Sequence, residues 1–407
     1  MRSRRIPASK SAPDQGAAAS VWRAPGMPAL LGMVVAGFSG YALLMPIAPL
    51  WAVRGGADEA GAGLVTGVFM LFTVLSQLFV PAALRRFGWT RVLVVGMLLL
   101  GLPAAAHLLS DALTPILLLA AVRGAGFAVL TVCGSGAVAE LVEPARRGRA
   151  IGAFGLGIAG PQVLLLPAAP WIAEQLGFGL VFLLATAPVL GIFAAARLGR
   201  SIDKLPPHPD PADEAHRGVR RYLGLLPPMF LLLGVTLAGG ALITFVPQFG
   251  VSAMITTIGL LLLTGLAALT RWGIGHLSDR VGAQRLMWPF VLVTIAGLIA
   301  TAWAAADTGR EGMLLTGMAL IGIAYGALQN LTLGAAFAAV PRRDQVVASA
   351  VWNIGFDAGT GLGAVVVGLL ASAFSFPPAL LAAATLALLT LPLAFVRGHQ
   401  VRTAGTD

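Results

Sequence analysis

The chain has 407 residues, but 57% of them are apolar and only 11% are charged, against roughly a quarter charged in ordinary soluble domains. That balance excludes a pair of soluble domains. The net charge of +10 is spread over short loops and flanks, so it reads as a signal of membrane topology and argues against a nucleic-acid-binding face.

Residues 1–27 are rich in Ala, Ser and Pro and basic at Arg2, Arg4, Arg5, Lys10 and Arg23, as expected of a disordered cytoplasmic tail. Twelve apolar segments follow, centred near residues 39, 70, 100, 124, 161, 187, 234, 262, 296, 325, 360 and 387. Each has about the 20 residues that a helix needs to cross a ~30 Å hydrocarbon core. The gaps are short except for the linker 197–222, whose run KLPPHPDPADEAHRGVRR cannot cross a bilayer. It divides the chain into six-span halves, 28–196 and 223–397, with a tail at 398–407. The expected fold is an all-α polytopic membrane protein whose twelve transmembrane helices form two pseudo-symmetric six-helix bundles. With the N-terminus cytoplasmic, only Arg54 and Arg310 of the 27 Lys and Arg fall on the opposite face, beside Asp58, Glu59, Asp111, Glu174, Asp307 and Glu311. Both termini are therefore expected in the cytoplasm.

The first segment ends SGYALLMPIAP. Pro46 and Pro49 remove two helical N–H groups near its far end, so a broken helix with carbonyls freed toward a cavity is expected; a plain helix terminus is the simpler reading. Between the second and third segments lies PAALRRFGWTR, with Arg86, Gly88 and Arg91. Arg123 lies about ten residues into the fourth segment, about 15 Å deep. A bare ion there costs ~2.5–3.5 kcal/mol or more, so it should face other helices and not lipid. The single Cys133 sits in an apolar run and can form no intramolecular disulfide. Gly152, Gly155, Gly157, Gly160 and Pro161 mark the fifth segment, and Gly355, Gly359, Gly361, Gly363 and Gly368 the eleventh. Small residues at such spacings let helices pack closely and slide, and a Pro loosens the helix around it. Ordinary tight packing would explain the glycines equally well.

Between the eighth and ninth segments stands RWGIGHLSDRVGAQRL, in which Arg280, Gly282 and Arg285 follow Arg86, Gly88 and Arg91 by about 194 residues. Its glycines, Gly275 among them, let helix ends approach, and Asp279 can cap a neighbouring helix N-terminus. The first copy has Pro81 for Gly275 and Arg85 for Asp279, so that corner lacks its acid. The halves repeat elsewhere: Gly124-Ala-Gly126-Phe127 lines up with Gly322-Ile-Ala324-Tyr325, and Pro144/Arg146/Arg147 with Pro341/Arg342/Arg343. Weak repetition at half-length is expected of a transporter built by duplication. Asp357 lies in the eleventh segment at a depth like that of Arg123, one turn beyond Asn353. A carboxyl group there can give up its proton when an opposite charge approaches. Asp357 is thus the expected proton carrier and Arg123 its modulator or counter-ion; a fixed structural ion pair is the competing reading. Glu140, His107 and Arg271 lie near segment ends, where snorkelling or a loop partner accounts for them.

The repeated loop pattern carried by Gly275, Asp279, Arg280, Gly282 and Arg285 resembles the cytoplasmic loop signature of the major facilitator superfamily. SGYALLMPIAP is similar to the first-span signature of its twelve-span drug:proton antiporters, close to the sugar-efflux-like branch. GIAGP, with Gly160 and Pro161, resembles their antiporter motif, although Val163 and Leu164 replace the glycines that should follow. Arg123 resembles the fourth-span Arg of proton-coupled exporters, with Gly126 and Phe127 in place of a Gln-Gly pair. The resemblance implies alternating access, with spans 1, 4, 7 and 10 lining a central cavity. Tyr41, Met45, Phe127, Thr131, Phe230, Thr236, Tyr325, Gln329 and Asn330 lie on those spans, and Asn353 stands beside Asp357. The mixture suits amphiphilic ligands. The implied function is export of a small amphiphilic drug or metabolite by proton antiport; the alternatives are proton-coupled uptake, or a non-transporting receptor of the same fold. The expected partners are that small-molecule substrate, protons and the lipid bilayer, with a monomeric chain, no nucleic acid, no cofactor and no metal. There is no Gly-Lys-Ser/Thr phosphate loop, so ATP-driven transport by this chain is not expected, and no Ser/His/Asp arrangement suggests an enzyme. An Ala/Gly/Arg/Leu-heavy composition suggests a bacterial plasma membrane.

Overall fold

The computed structural model describes residues 26–141, 147–205, 219–307, 309–341 and 344–396, and among these it is helical with no strand. Twelve helical spans are long and apolar enough to cross a membrane. In the first half they are α1 (Met27–Arg54), α2 (Glu59–Gln77), α3 (Val80–Leu109), α4 (Leu113–Val138), α5 (Gly152–Gln175) and α6 (Phe178–Ile202). In the second half they are α7 (Tyr222–Gln248), α8 (Ala253–Ser278), α9 (Ala283–Ala305), α10 (Glu311–Ala338), α11 (Val347–Ala373) and α12 (Phe376–Phe395). The chain is a multi-pass membrane protein. Two of the starts carry side-chain caps: Asp58 accepts the Gly61 N–H at 2.9 Å and Ser252 the Ile255 N–H at 3.3 Å.

The packing repeats between halves. In the first, α2 and α3 pack on α4, α1 on α5 and α3 on α6; in the second, α8 and α9 pack on α10, α7 on α11 and α9 on α12. Adding six to each label carries one set onto the other. The same exchange carries the α2–α11 seam between the bundles onto the α5–α8 seam, while α1 and α7 meet each other. The repeat extends to single atoms. A Cβ on Gly124 would overlap the Phe69 carbonyl, and one on Gly322 would crowd the Leu263 carbonyl; Phe69 and Leu263 have the same separation as the two loop signatures.

Several expectations change. α1 stays helical through Pro46 and Pro49 to Arg54, because the rest of its ladder holds the chain while only the Ala42 and Met45 carbonyls lose their helical donors. α6 runs to Ile202, six residues into the segment read as linker. The glycines of α11 are packed closely, but a Cβ on Gly152, Gly155 or Gly160 of α5 would meet nothing within 4 Å. Gly160 is therefore not a close-packing position in this conformation, and Pro161 lies buried within an unbroken α5. Both signature loops turn at glycine: Gly88 has φ 79° and Gly282 φ 91°, a region that side chains with a Cβ disfavour.

The acid missing from the first corner comes from elsewhere in the chain. Asp203, just beyond α6, accepts the Trp89 N–H at 2.8 Å, the Thr90 N–H at 3.1 Å and the Thr90 hydroxyl at 2.7 Å. It caps the helix restarting after Gly88. At the matching corner of the second half, the Gln284 amide donates to the Val396 carbonyl beyond α12. Partial burial pushes the Asp203 carboxyl up, but the Thr90 hydroxyl and the two N–H donors outweigh it and hold the group below its ordinary value. Its contribution is therefore present above the ordinary carboxylate range and is lost as pH falls through the depressed value. Asp203→Ala should cost about 1 kcal/mol, since the cap is exposed and screened. Thermal unfolding in nanodiscs should show a deficit at neutral pH that closes on acidification; a deficit that does not change with pH would count against the carboxylate as its cause.

Candidate functional site

The two signature loops lie on one face, called here the basic face; Asp58, Asp111 and Glu311 mark the opposite one. Away from span ends and from the corner of α3 at Gly88, the described residues include three with a formal charge: Arg123 on α4, Arg271 on α8 and Asp357 on α11.

Asp357 is 4% exposed and lies in the α2–α11 seam between the bundles. Its Oδ2 accepts a hydrogen bond from Nε2 of Gln77 on α2 at 2.8 Å. That nitrogen also reaches the Thr131 hydroxyl on α4 at 3.4 Å. A buried carboxyl group is thus held across the seam by a neutral amide of the other bundle. Gln77 closes α2 next to the polar loop, and in a reading by residue type it passes for a solvated helix end.

Arg123 does not touch Asp357. It is 4% exposed, donates from Nε to the Leu100 carbonyl at 3.3 Å and from Nη2 to the Gly40 carbonyl at 3.2 Å, and lies 5.5 Å over the Phe69 ring. These contacts tie α4 to α1, α2 and α3 within one bundle, so the expected direct counter-ion is absent from this conformation. Tyr41 is stacked on Phe127 at 4.5 Å. Tyr41, Met45, Pro49, Phe69, His107 and Arg123 border a small cavity. His107 is no snorkelling residue: it is 1% exposed, with Nδ1 beside the Pro103 and Ala104 carbonyls.

The other predicted cavity residues separate into two groups. Met45 and Phe127 are buried in the first bundle, Met45 at the small cavity inside it, and Thr236 is wholly buried against Gly359 of α11. Thr131, Tyr325, Asn330 and Asn353 are half-buried and Phe230 is exposed. Tyr325 packs its ring against Gly239 of α7. Among the loop residues, Arg86, Arg91, Arg280 and Arg285 are exposed and Gly275 faces Asn330 across the α8–α10 contact. The side chain of Asp279 lies outside the described residues.

Arg271 is the charge that position along the chain misplaced. The helix continues past α8 as far as Val281, which puts Arg271 well inside it. Nη1 donates to Oε1 of Gln329 on α10 at 2.9 Å, and the Arg271 carbonyl accepts from Nδ2 of Asn330 at 2.9 Å. Gln329 is itself 6% exposed.

Among the described residues three side-chain hydrogen bonds cross between bundles. Ser372 donates to Asp58 at 2.5 Å, Thr66 and Thr244 share one at 3.1 Å, and Gln77 donates to Asp357. The first two lie toward the opposite face, which is drawn together. Toward the basic face Ser135 on α4 and Gly334 on α10 are exposed.

The sequence profile of the Major Facilitator Superfamily matches residues 29–343. A bacterial homologue of the human lysosomal transporter Spinster, solved in an inward-facing, unoccupied conformation, aligns with TM-score 0.74 at 16% identity over 93% of this chain and 97% of its own. The peptide transporter POT in complex with sulfate aligns with TM-score 0.69 at 16% identity over 92% and 95%. The nucleoside transporter NupG gives 0.63 at 13% identity over 91% and 100%. At these identities the likeness shows a shared fold.

Proposed function

The chain belongs to the major facilitator superfamily, and from that premise we propose that it is a secondary transporter exporting a small amphiphilic drug or metabolite by proton antiport. Members of this family move solutes and do not transform them. The basic face is the cytoplasmic one in this reading, and the membrane is a bacterial plasma membrane.

The observation that carries the reading is the Asp357–Gln77 bond across the α2–α11 seam. A proton carrier must present its group to one face at a time, and this carboxyl group belongs to a contact that rocking of the bundles makes and breaks. When the bundles part along this seam, Gln77 leaves, and the charged form loses its one hydrogen-bond donor. Protonation then favours one arrangement and ionisation the other, which couples the proton to the direction in which the cavity opens. Arg123, bound to main-chain carbonyls, holds the first bundle rigid around Tyr41. The turns at Gly88 and Gly282, with Arg86, Arg91, Arg280 and Arg285, set how closely the bundles approach on the basic face.

Proteoliposomes loaded with a pH-sensitive dye test the reading. Addition of a transported amphiphile should drive protons against the direction of substrate movement. Co-directional proton flow would replace antiport by symport, and substrate binding without proton flow would leave a receptor.

A further inference from the structure

The charges at depth do not balance, and their placement points to a substrate of one sign. Arg123 is sealed among main-chain carbonyls, and Asp357 is engaged by Gln77. Arg271 is different. Its side chain is exposed, on a helix packed against α10. Its guanidinium also bonds the buried Gln329 inside the bundle. Arg271 stands 194 residues after Gln77, the interval of the repeat, on the helix that meets α5 across the second seam between the bundles. No carboxylate lies within 4 Å of it among the described residues, and its partner is a neutral amide oxygen that uses one of five N–H donors. Among the described residues no second acceptor bonds the guanidinium, whose planar fork matches the two oxygens of a carboxylate. The Asn330 bond to the Arg271 carbonyl fixes the backbone from which the fork projects. One turn before Gln329 on α10, Tyr325 meets Phe356 edge to face at 5.9 Å, and Phe356 lies 5.8 Å from Trp352, an aromatic cluster beside the amide that holds Arg271.

We propose that Arg271, held by Gln329, is the head-group site of this transporter and that its substrate is an organic anion, a carboxylate on an apolar body. The proposal rests on the transport reading above and narrows its amphiphile to one charge class. A single arginine without a counter-ion gives the site a positive field that draws anions and repels amines.

The experiment uses the full chain in nanodiscs and three probes with matched tails: octanoate, octanol and octyltrimethylammonium, each titrated while thermal unfolding is followed. Octanoate should stabilise the wild type in a saturable way and the other two should not. Arg271→Gln should abolish the octanoate effect. Gln329→Glu keeps an acceptor for Arg271, so the fold survives, but supplies the missing counter-charge; it should weaken octanoate binding at least about tenfold, the equivalent of a ~1.4 kcal/mol change. Arg271→Lys, with a point charge for a fork, should fall between. Partitioning into lipid alone would be the same in every variant. Equal shifts for octanoate in the wild type and Gln329→Glu, or a response to octyltrimethylammonium matching that to octanoate, would overturn the proposal. The titration needs no proton gradient and should survive Asp357→Asn. An octanoate preference intact in vesicles that move no protons would support the anion site and reject antiport.

Discussion

Asp357→Asn should reduce proton-driven transport to the level of empty vesicles while substrate exchange across the same vesicles continues. The substitution is close to isosteric. Its Oδ1 can still accept from Gln77 Nε2, so the seam keeps its hydrogen bond, and the folding cost should stay within the ~0.5–1.5 kcal/mol range of one such bond. What disappears is the ability of this position to exist in two protonation states. If coupling depends on those states, a site fixed in the neutral form no longer links the proton gradient to the bundle equilibrium, whereas passive exchange needs only rocking. Gln77→Leu tests the other side of the contact. It removes the donor, keeps the acid, and should retain coupling with an altered pH dependence. Wild-type accumulation by Asp357→Asn would remove Asp357 from the mechanism and leave Arg123 and Tyr41 to be tested in its place.

Much of this architecture can be read from residue order. The twelve apolar runs correspond to twelve helical spans, since a helix that crosses lipid must satisfy its backbone internally and cover itself with apolar side chains. The half-length repeat is legible because a turn with positive φ leaves a glycine signature, and Gly88 and Gly282 both carry it. What was not legible depends on where helices end and which helices are neighbours. The segment RWGIGHLSDR looks like a loop because it is polar, but it is helical and the chain turns only at Gly282. Arg271 was therefore assigned to a span end when it lies inside. Gln77 gave no signal, because its importance comes from α11, 280 residues further on. Arg123 was expected to act on Asp357 as modulator or counter-ion, since both lie at similar depth. Each instead found a cheaper partner nearby, main-chain carbonyls for one and an amide for the other. Asp203 supplies from the far end of the bundle the acid that the first loop lacks, a substitution that spacing within the loop could not reveal.

Gly63→Val should trap the transporter open toward the opposite face. At that position α2 and α11 approach so closely that an added Cβ would overlap the Ala364 carbonyl and lie 3.4 Å from the Gly368 Cα. A backbone carbonyl of a packed helix cannot swing aside as a side-chain tip can, so the helices themselves must separate. Overpacking of this kind costs ~1–3 kcal/mol. The cost falls only on the arrangement in which this seam is closed; when the bundles part on the opposite face, the added methyls meet open space. A change of ~1–3 kcal/mol in a two-state equilibrium shifts the population ratio roughly fivefold to more than a hundredfold. The Ser372–Asp58 and Thr66–Thr244 bonds, which belong to the same closed face, would be lost together with the contact. Spin labels at Ala112, in the α3–α4 loop, and Glu311, at the start of α10, both exposed on the opposite face, should report a longer mean distance in Gly63→Val than in the wild type, and transport should fall in proportion to the lost closed state. Leu64→Val, one residue along on a partly exposed face of α2, should change neither. An unchanged label distance together with wild-type transport in Gly63→Val would mean that the seam does not close tightly in the working cycle.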